Sequence, residues 1–184
     1  MSGALSIRGV SKTYEPEGAS VEALRECSFE VRAEEFVAIV GPSGCGKTTL
    51  LNAIAGFDTV SAGEIVRALM NDPRLLLLDE PFRAMDGFSK ATMHQHLLDL
   101  HQRYRKTVVF ITHDLDEAIY LADTVVVMTT RPGTVKQVIR VNLERPRVPQ
   151  MLYSREYAEL KKSAAESVHE EARRAFERGE KEQA

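Results

Sequence analysis

The stretch Gly41-Pro42-Ser43-Gly44-Cys45-Gly46-Lys47-Thr48 fits the spacing G-x-x-x-x-G-K-[ST], and Thr49 follows it. Glycines at these points let the backbone turn so that successive N–H groups converge on phosphate oxygens. A helix opening at Lys47 adds the partial positive charge of its N-terminus. Lys47 would reach the terminal phosphates of a bound nucleotide, and the Thr48 hydroxyl offers a hard oxygen to magnesium. Further on, Leu75-Leu76-Leu77-Leu78 runs into Asp79-Glu80. Asp79 would hold the metal, directly or through water, while Glu80 would orient and deprotonate the water attacking a γ-phosphate. His113 follows another apolar run and suits contact with that same phosphate at the edge where open α/β sheets bind ligands. Taken singly, these are a glycine-rich turn, a strand end meeting solvent and a packed histidine; taken in this order they describe a nucleotide site. His94, His96, His101 and His169 lie on predicted helices without a matching partner set and read as structural. Tyr14, in a polar segment, reads either as a platform for an adenine ring or as simple packing.

The elements that must position these residues are legible from periodicity. Leu5 to Val31 shows short alternating apolar bursts broken by the polar stretch Glu15 to Ser20, which reads as antiparallel strands and loops. Phe36 to Val40 is a continuous apolar run ending at the glycine-rich turn, and Leu50, Leu51 and Ile54 then recur at helical spacing: strand, loop, helix. Leu75 to Leu78, Thr107 to Ile111 and Thr124 to Met128 read as strands of a parallel sheet covered on both faces. Between them, Ser89 is the predicted N-cap of a helix with the stripe Met93, Leu97, Leu100 and Tyr104. Asp114 is the predicted cap of another through Leu115, Ala118 and Ile119. Val135 to Val141 suggests a further strand. From Met151 onward Tyr153, Tyr157, Leu160, Ala164 and Val168 keep a helical rhythm, with fraying expected from Glu177. Strands alternating with helices make this an α/β fold, divided as residues 1–150 and a charged helical tail, 151–184.

The chain has 184 residues, with 24 Lys and Arg against 27 Asp and Glu, a formal net charge of -3. That leaves no overall positive field to hold nucleic acid. Two cysteines, Cys27 and Cys45, form no disulfide framework and no metal-ligand spacing, which fits a reducing cytoplasm. The first residues, Met1 to Lys12, lack the continuous apolar stretch expected of a secretory signal, and no apolar run approaches the roughly 18 residues of a membrane helix.

The order of these pieces resembles the ATP-binding subunit of ABC transporters, and more narrowly the importers of the nitrate, sulfonate and taurine group. The matching segments are Ser11-Lys12-Thr13-Tyr14, GPSGCGKTTLLNAIAGF from Gly41, Ser61-Ala62-Gly63-Glu64-Ile65 and LLLLDEPF from Leu75. They continue with Ala84-Met85-Asp86 and ITHDLDEA from Ile111; MTTRPG from Met128 points to the narrower group. The resemblance implies a RecA-type P-loop fold with a mostly parallel sheet and an N-terminal antiparallel portion. It also implies ATP and Mg2+ as ligands, Tyr14 as the adenine-stacking residue, Asp86 as the D-loop aspartate and His113 as the switch histidine. Its expected partners are a membrane permease and a second ATPase subunit, placing the chain at the inner face of the cell membrane. A small kinase or GTPase is disfavoured, since no Asn-Lys-x-Asp segment is found.

Against that family the chain is short between its two phosphate motifs. Ile65 is followed at once by Val66 to Pro73, which resembles the tail of the helix that in the family follows the LSGGQ signature. No Gln lies between Gly46 and Asp79, and no Ser-Gly-Gly occurs anywhere. Q-loop, helical subdomain and signature are therefore expected to be absent. The cap that the partner's signature places on each ATP would be missing from a homodimer, so its hydrolysis is expected to be inefficient. Leu75 to Leu78 is expected at an open sheet edge, with reduced stability. Smaller departures are Glu34 where the family has a turn Gly, Arg83 for Gly and Met85 for Leu. The rival expectation is a non-catalytic remnant, or a regulatory partner of an intact subunit.

Overall fold

A computed structural model describes residues 4–16, 18–67, 75–177 and 179. Strands β1 (Leu5–Tyr14) and β2 (Val21–Val31) are followed by β3 (Phe36–Val40), helix α1 (Lys47–Ala55), β4 (Ala62–Arg67) and β5 (Leu75–Asp79). Then come α2 (Gly87–Tyr104), β6 (Thr107–Ile111), α3 (Leu115–Leu121), β7 (Thr124–Met128), β8 (Val135–Arg140) and α4 (Arg155–Glu177). They form two sheets. A three-stranded antiparallel sheet has the order β2-β1-β4, and a five-stranded sheet has the order β5-β6-β3-β7-β8. In the larger sheet β5, β6, β3 and β7 are parallel, and β8 closes one side antiparallel to β7.

Side chains alternate across a strand, so the central strands feed two cores at once. Phe36, Ala38 and Val40 of β3, with Val108, Phe110, Val125 and Val127, face α2, α3 and α4. Val37 and Ile39, with Val109, Ile111, Val126 and Met128, face α1 and the small sheet. All five residues of each of β3, β6 and β7 are buried, as continuous apolar runs in a doubly covered parallel sheet require. Helix α4 buries Tyr157 and Ala164 in the first core, with Leu160 and Val168 packed beside them. Tyr153 lies outside this stripe, 90% exposed on a 3₁₀ turn at Pro149–Tyr153. The fraying expected beyond Glu177 falls mostly outside the described residues.

Besides Tyr153, four expectations change. The N-cap of α2 is Asp86, not Ser89: its carboxylate accepts from the N–H groups of Phe88 and Ser89, each at 3.0 Å, and Ser89 is drawn inside the first turn. Strand β5 is not fully covered on both faces, Leu76 being 39% exposed, but it does end the described sheet, the open edge expected for Leu75 to Leu78. For the same reason the predicted stripe of α2 is only partly buried. Leu97 is covered, whereas Met93, Leu100 and Tyr104 stay exposed beyond β5. Val66 and Arg67 do not belong to a helix tail but extend β4, pairing with Ser6 and Leu5; residues 68–74 lie outside those described. Glu34, where the resemblance leads one to expect Gly, sits at φ +64°, in the left-handed region that favours a residue without a Cβ.

Two outcomes follow. Replacing Glu34 by Gly relieves the left-handed strain but frees the unfolded chain, and should leave a net gain of about 0.5 kcal/mol in urea unfolding. Leu76→Lys should reduce self-association in light scattering while leaving the unfolding midpoint nearly unchanged, since an edge charge blocks strand addition without touching the core. Equal association by the wild type and Leu76→Lys would show that the β5 edge is not the sticky surface.

Candidate functional site

Strands β5, β6 and β3 are adjacent and parallel, so the segments leaving their C-terminal ends meet at one edge. The phosphate loop leaves β3, His113 leaves β6, and Asp79 with Glu80 leaves β5. Backbone bonds fix the heights: Glu80 N–H donates to Ile111 O at 2.9 Å and Thr112 N–H donates to Ile39 O at 3.2 Å.

The loop wraps onto α1 through Gly46, whose φ of +90° suits glycine and whose added Cβ would meet Leu24 Cδ2 at 2.7 Å and Ala23 O at 2.8 Å. No side chain caps α1. Its first N–H groups therefore remain available to an anion. Lys47 is buried, and its ammonium donates to Gly41 O at 2.8 Å and Pro42 O at 3.0 Å. Cys45 is buried behind the loop, and burial pushes its thiol up despite the nearby Lys47; burial likewise pushes Cys27 up to about 11. Neither is a ready nucleophile.

Thr48 Oγ1 donates to Asp79 Oδ2 at 2.9 Å. A hydroxyl and a carboxylate in contact, both hard oxygen donors, fit a magnesium ion shared with phosphate oxygens. Glu80 holds φ +44°, unusual for a residue with a side chain. Its Oε2 lies 3.3 Å from His113 Nδ1 and 3.3 Å from Arg83 Nη1, neither in hydrogen-bonding geometry, so this buried oxygen has no hydrogen-bond partner among the described residues. His113 itself is largely exposed.

A cleft of about 540 Å³, within the range of small-ligand sites, opens beside these groups; Asp79, His113, Gly41, Pro42, Cys45 and Tyr14 are not among its lining residues. Ser43, Gly44, Gly46, Lys47, Thr48 and Thr49 form its floor, with Glu80 at one side. Arg83 and Arg131 add cationic walls that sequence reasoning did not assign. The signal for Arg83 was its standing in a glycine position; Arg131 lies in the MTTRPG segment and comes close to Gly44 only through the fold. Tyr14 is engaged at the end of β1: its hydroxyl donates to Asp58 Oδ2 at 2.7 Å, and the Lys12 ammonium lies 4.8 Å from its ring centre. Asp86 is spent on capping α2, also accepting from the Ser89 hydroxyl at 2.6 Å.

Behind His113 sits a second layer that the sequence did not reveal. Glu117 of α3 is buried, accepts from the Thr112 hydroxyl and pairs with Lys90 at 2.9 Å. Burial alone would raise its pKa, but the neighbouring His94, Thr112 and Lys90 outweigh it and bring the carboxyl down to about 2.

Comparison with known proteins bears on the family and the fold. A family model described as ABC transporter matches residues 24–67. An uncharacterized ABC transporter ATP-binding protein of Methanocaldococcus jannaschii is 30% identical, the match covering 78% of this chain and 84% of the relative. An aliphatic sulfonates import ATP-binding protein, SsuB of Bacillus cereus, is 30% identical over 78% of this chain and 88% of its own. A putative ATP-binding protein of Brucella melitensis is 32% identical over 80% and 86%. Among solved structures, a dimeric bacterial ABC transporter cassette superposes with a TM-score of 0.67 at 20% identity, covering 76% of this chain and 100% of that one. The dimeric post-hydrolysis state of such a cassette, bound to ADP and Pi, gives 0.66 at 19% identity, with the same coverage.

The depressed Glu117 carboxyl has a consequence for stability. Its folded pKa lies below the ordinary 4.5, so its contribution is present above that value and is lost as pH falls through about 2. Urea unfolding of Glu117→Gln should therefore show a flatter dependence on pH than the wild type between these limits. Parallel curves for the two proteins would contradict the assignment.

Proposed function

The chain belongs to the ATP-binding proteins of ABC transporters, and on that footing we propose that it binds Mg-ATP in the cleft above the phosphate loop. The supporting observation is the Thr48–Asp79 hydrogen bond, which joins the start of α1 to the end of β5 beside Glu80 and His113. Gly41, Pro42, Ser43, Gly44, Cys45 and Gly46 would wrap the phosphates, Lys47 and Thr49 would contact them, and Tyr14 would approach the base. Thr48 and Asp79 would hold Mg2+, which when bound draws charge from the phosphate oxygens. Glu80 would accept a proton from the attacking water, and His113 would contact the γ-phosphate. Arg83 and Arg131 add positive charge to the same cleft.

The SsuB relative is named for aliphatic sulfonate import. We read this chain as an ATPase subunit of an importer for sulfonate-like solutes, seated on a membrane permease at the cytoplasmic face and paired with a second ATPase subunit. No helix among the described residues is long and apolar enough to cross a membrane. Residues 1–150 form the cassette in this reading, and 151–184 a helical tail.

We read the segment between β4 and β5 as shorter than the family's. The alignments to relatives run over 221 to 224 residues, longer than the chain itself, and the family-model match stops at Arg67. With no Gln between Gly46 and Asp79 and no Ser-Gly-Gly, a second copy offers no Q-loop or signature to close over the nucleotide. An intact family subunit would supply that closure, whereas a homodimer would turn over poorly. The competing reading, a non-catalytic regulatory chain, draws on the same shortness.

Equilibrium binding of a fluorescent ATP analogue tests the first half. Binding should require Mg2+ and weaken about tenfold or more in Lys47→Ala, a loss of about 1.4 kcal/mol or greater. Binding by folded protein that ignores both Mg2+ and Lys47 would overturn it. Phosphate release by the chain alone should be low, and should rise with an intact family subunit in a manner lost in Glu80→Gln. An increase unaffected by Glu80→Gln would favour the non-catalytic reading.

A further inference from the structure

The turn between β7 and β8 is closed at its neck and anchored on two sides. Thr129 N–H donates to Thr134 O and Thr134 N–H donates to Thr129 Oγ1, each at 2.9 Å. On the inner side Gly133 N–H donates to Ala23 O at 3.0 Å, and Gly133 O accepts from Arg25 N–H at 2.9 Å, joining the turn to β2. A Cβ on Gly133 would collide with Cys45 O, so the turn lies directly against the phosphate loop. Arg131 at its tip lines the cleft; a Cβ on Gly44 would stand 3.5 Å from its Nη2. The Arg131 side chain is exposed and makes no hydrogen bond or ion pair with any described residue. The acids lining the same cleft do not answer it: Glu22 accepts from Arg25, and the Glu80 carboxylate lies 3.3 Å from Arg83. A guanidinium fork held beside a phosphate loop and left without an internal counter-charge suits a phosphate group. The outer side of the turn is held by the tail. Glu171 of α4 is 2% exposed, and one of its oxygens accepts from the N–H of Thr130, the buried neighbour of Arg131, at 3.5 Å. Its other oxygen meets the Lys136 ammonium at 2.8 Å and Arg174 at 3.2 Å. Both cations also reach Glu170, at 2.6 and 2.5 Å, so the charge balance of α4 has a second carboxylate while the bond to Thr130 N–H has no described substitute.

We propose that Arg131 is a phosphate-contacting residue of the cleft and that Glu171, on the tail helix, is the positioning residue that holds it there. The inference rests on the reading of this cleft as a Mg-ATP site. The phosphates are then held from two strand exits, by the loop after β3 and by the turn after β7, and this second contact asks nothing of another subunit. Because the turn is pinned by backbone bonds on one side and by Glu171 on the other, the guanidinium loses little freedom when it binds. The tail becomes part of the nucleotide site rather than an appendage to it.

A double-mutant cycle tests both halves, read as the Kd of the fluorescent ATP analogue in the presence of Mg2+. Arg131→Ala should weaken binding about fivefold or more and flatten its dependence on salt, since one charge-assisted contact is lost. Glu171→Ala should weaken binding about threefold in the wild-type background and less than about 1.5-fold in Arg131→Ala, because its effect runs through Arg131. Glu171→Asp keeps a charge for Lys136 and Arg174 but withdraws the oxygen from Thr130, and takes the place of Glu171→Ala in the cycle if circular dichroism shows the alanine variant unfolded. No loss in Arg131→Ala, a loss with unchanged salt dependence, or a Glu171 effect that is absent or equal in the two backgrounds overturns the proposal. Absence of Mg-dependent binding by the wild type overturns the underlying site reading instead, and the two failures are separately visible.

Discussion

The parallel pairing of β3, β6 and β5 is the constraint on which the rest depends. Ala38 opposite Phe110, and Leu78 opposite that same Phe110, set three strands in register, and their exits deliver the phosphate loop, His113 and Asp79 to a common edge. None of these groups is near another in sequence. A slip of one residue in any strand would turn its side chains to the other core, so burial on both faces of β3 and β6 enforces the register more firmly than hydrogen bonds alone. The grouping of these side chains at one edge is a by-product of close packing several ångströms below.

Much of this was legible in the sequence because two strong local signals coincide. The spacing from Gly41 to Thr48 requires a turn, and the apolar runs at Phe36, Thr107 and Thr124 are too short and too continuous for anything but buried strands. Asp114 was readable as a cap because the helix after it carries Ala118 and Ile119 at the expected interval. Ser89 misled because Asp86 stands just before it. Both are capping residues, and the choice fell to the one whose extended backbone, φ −68° and ψ 161°, already leaves the helix. The partial exposure of Met93, Leu100 and Tyr104 was hidden for a different reason. Periodicity reports which face a helix would bury, not whether an element is there to bury it.

Residues that act through tertiary proximity left the least trace. Arg131 comes alongside Gly44, and Glu117 sits beneath Thr112 in an ordinary helix, where its spacing resembles that of any exposed acid. Burial makes the difference, and burial is a property of the assembled layers. The ion pair with Lys90 and the hydrogen bond from Thr112 keep that carboxylate charged inside the protein, so the loop carrying His113 rests on an electrostatic support rather than an apolar one.

The passage from β4 to β5 carries the chain from the small antiparallel sheet to the large parallel one. Pairing of Phe36 with Val108 encloses everything between them in one loop, α1, β4, β5 and α2 included. Closure entropy rises only with the logarithm of loop length, about 0.6 kcal/mol for each doubling. The topology is therefore nearly indifferent to how much chain lies between Arg67 and Leu75, and a much longer or shorter insert would leave the central register intact. Architecture and the proposed chemistry thus have different tolerances at this one crossing: the sheet can form whatever is spliced there, while the proposed ATP site depends on what that segment places above it.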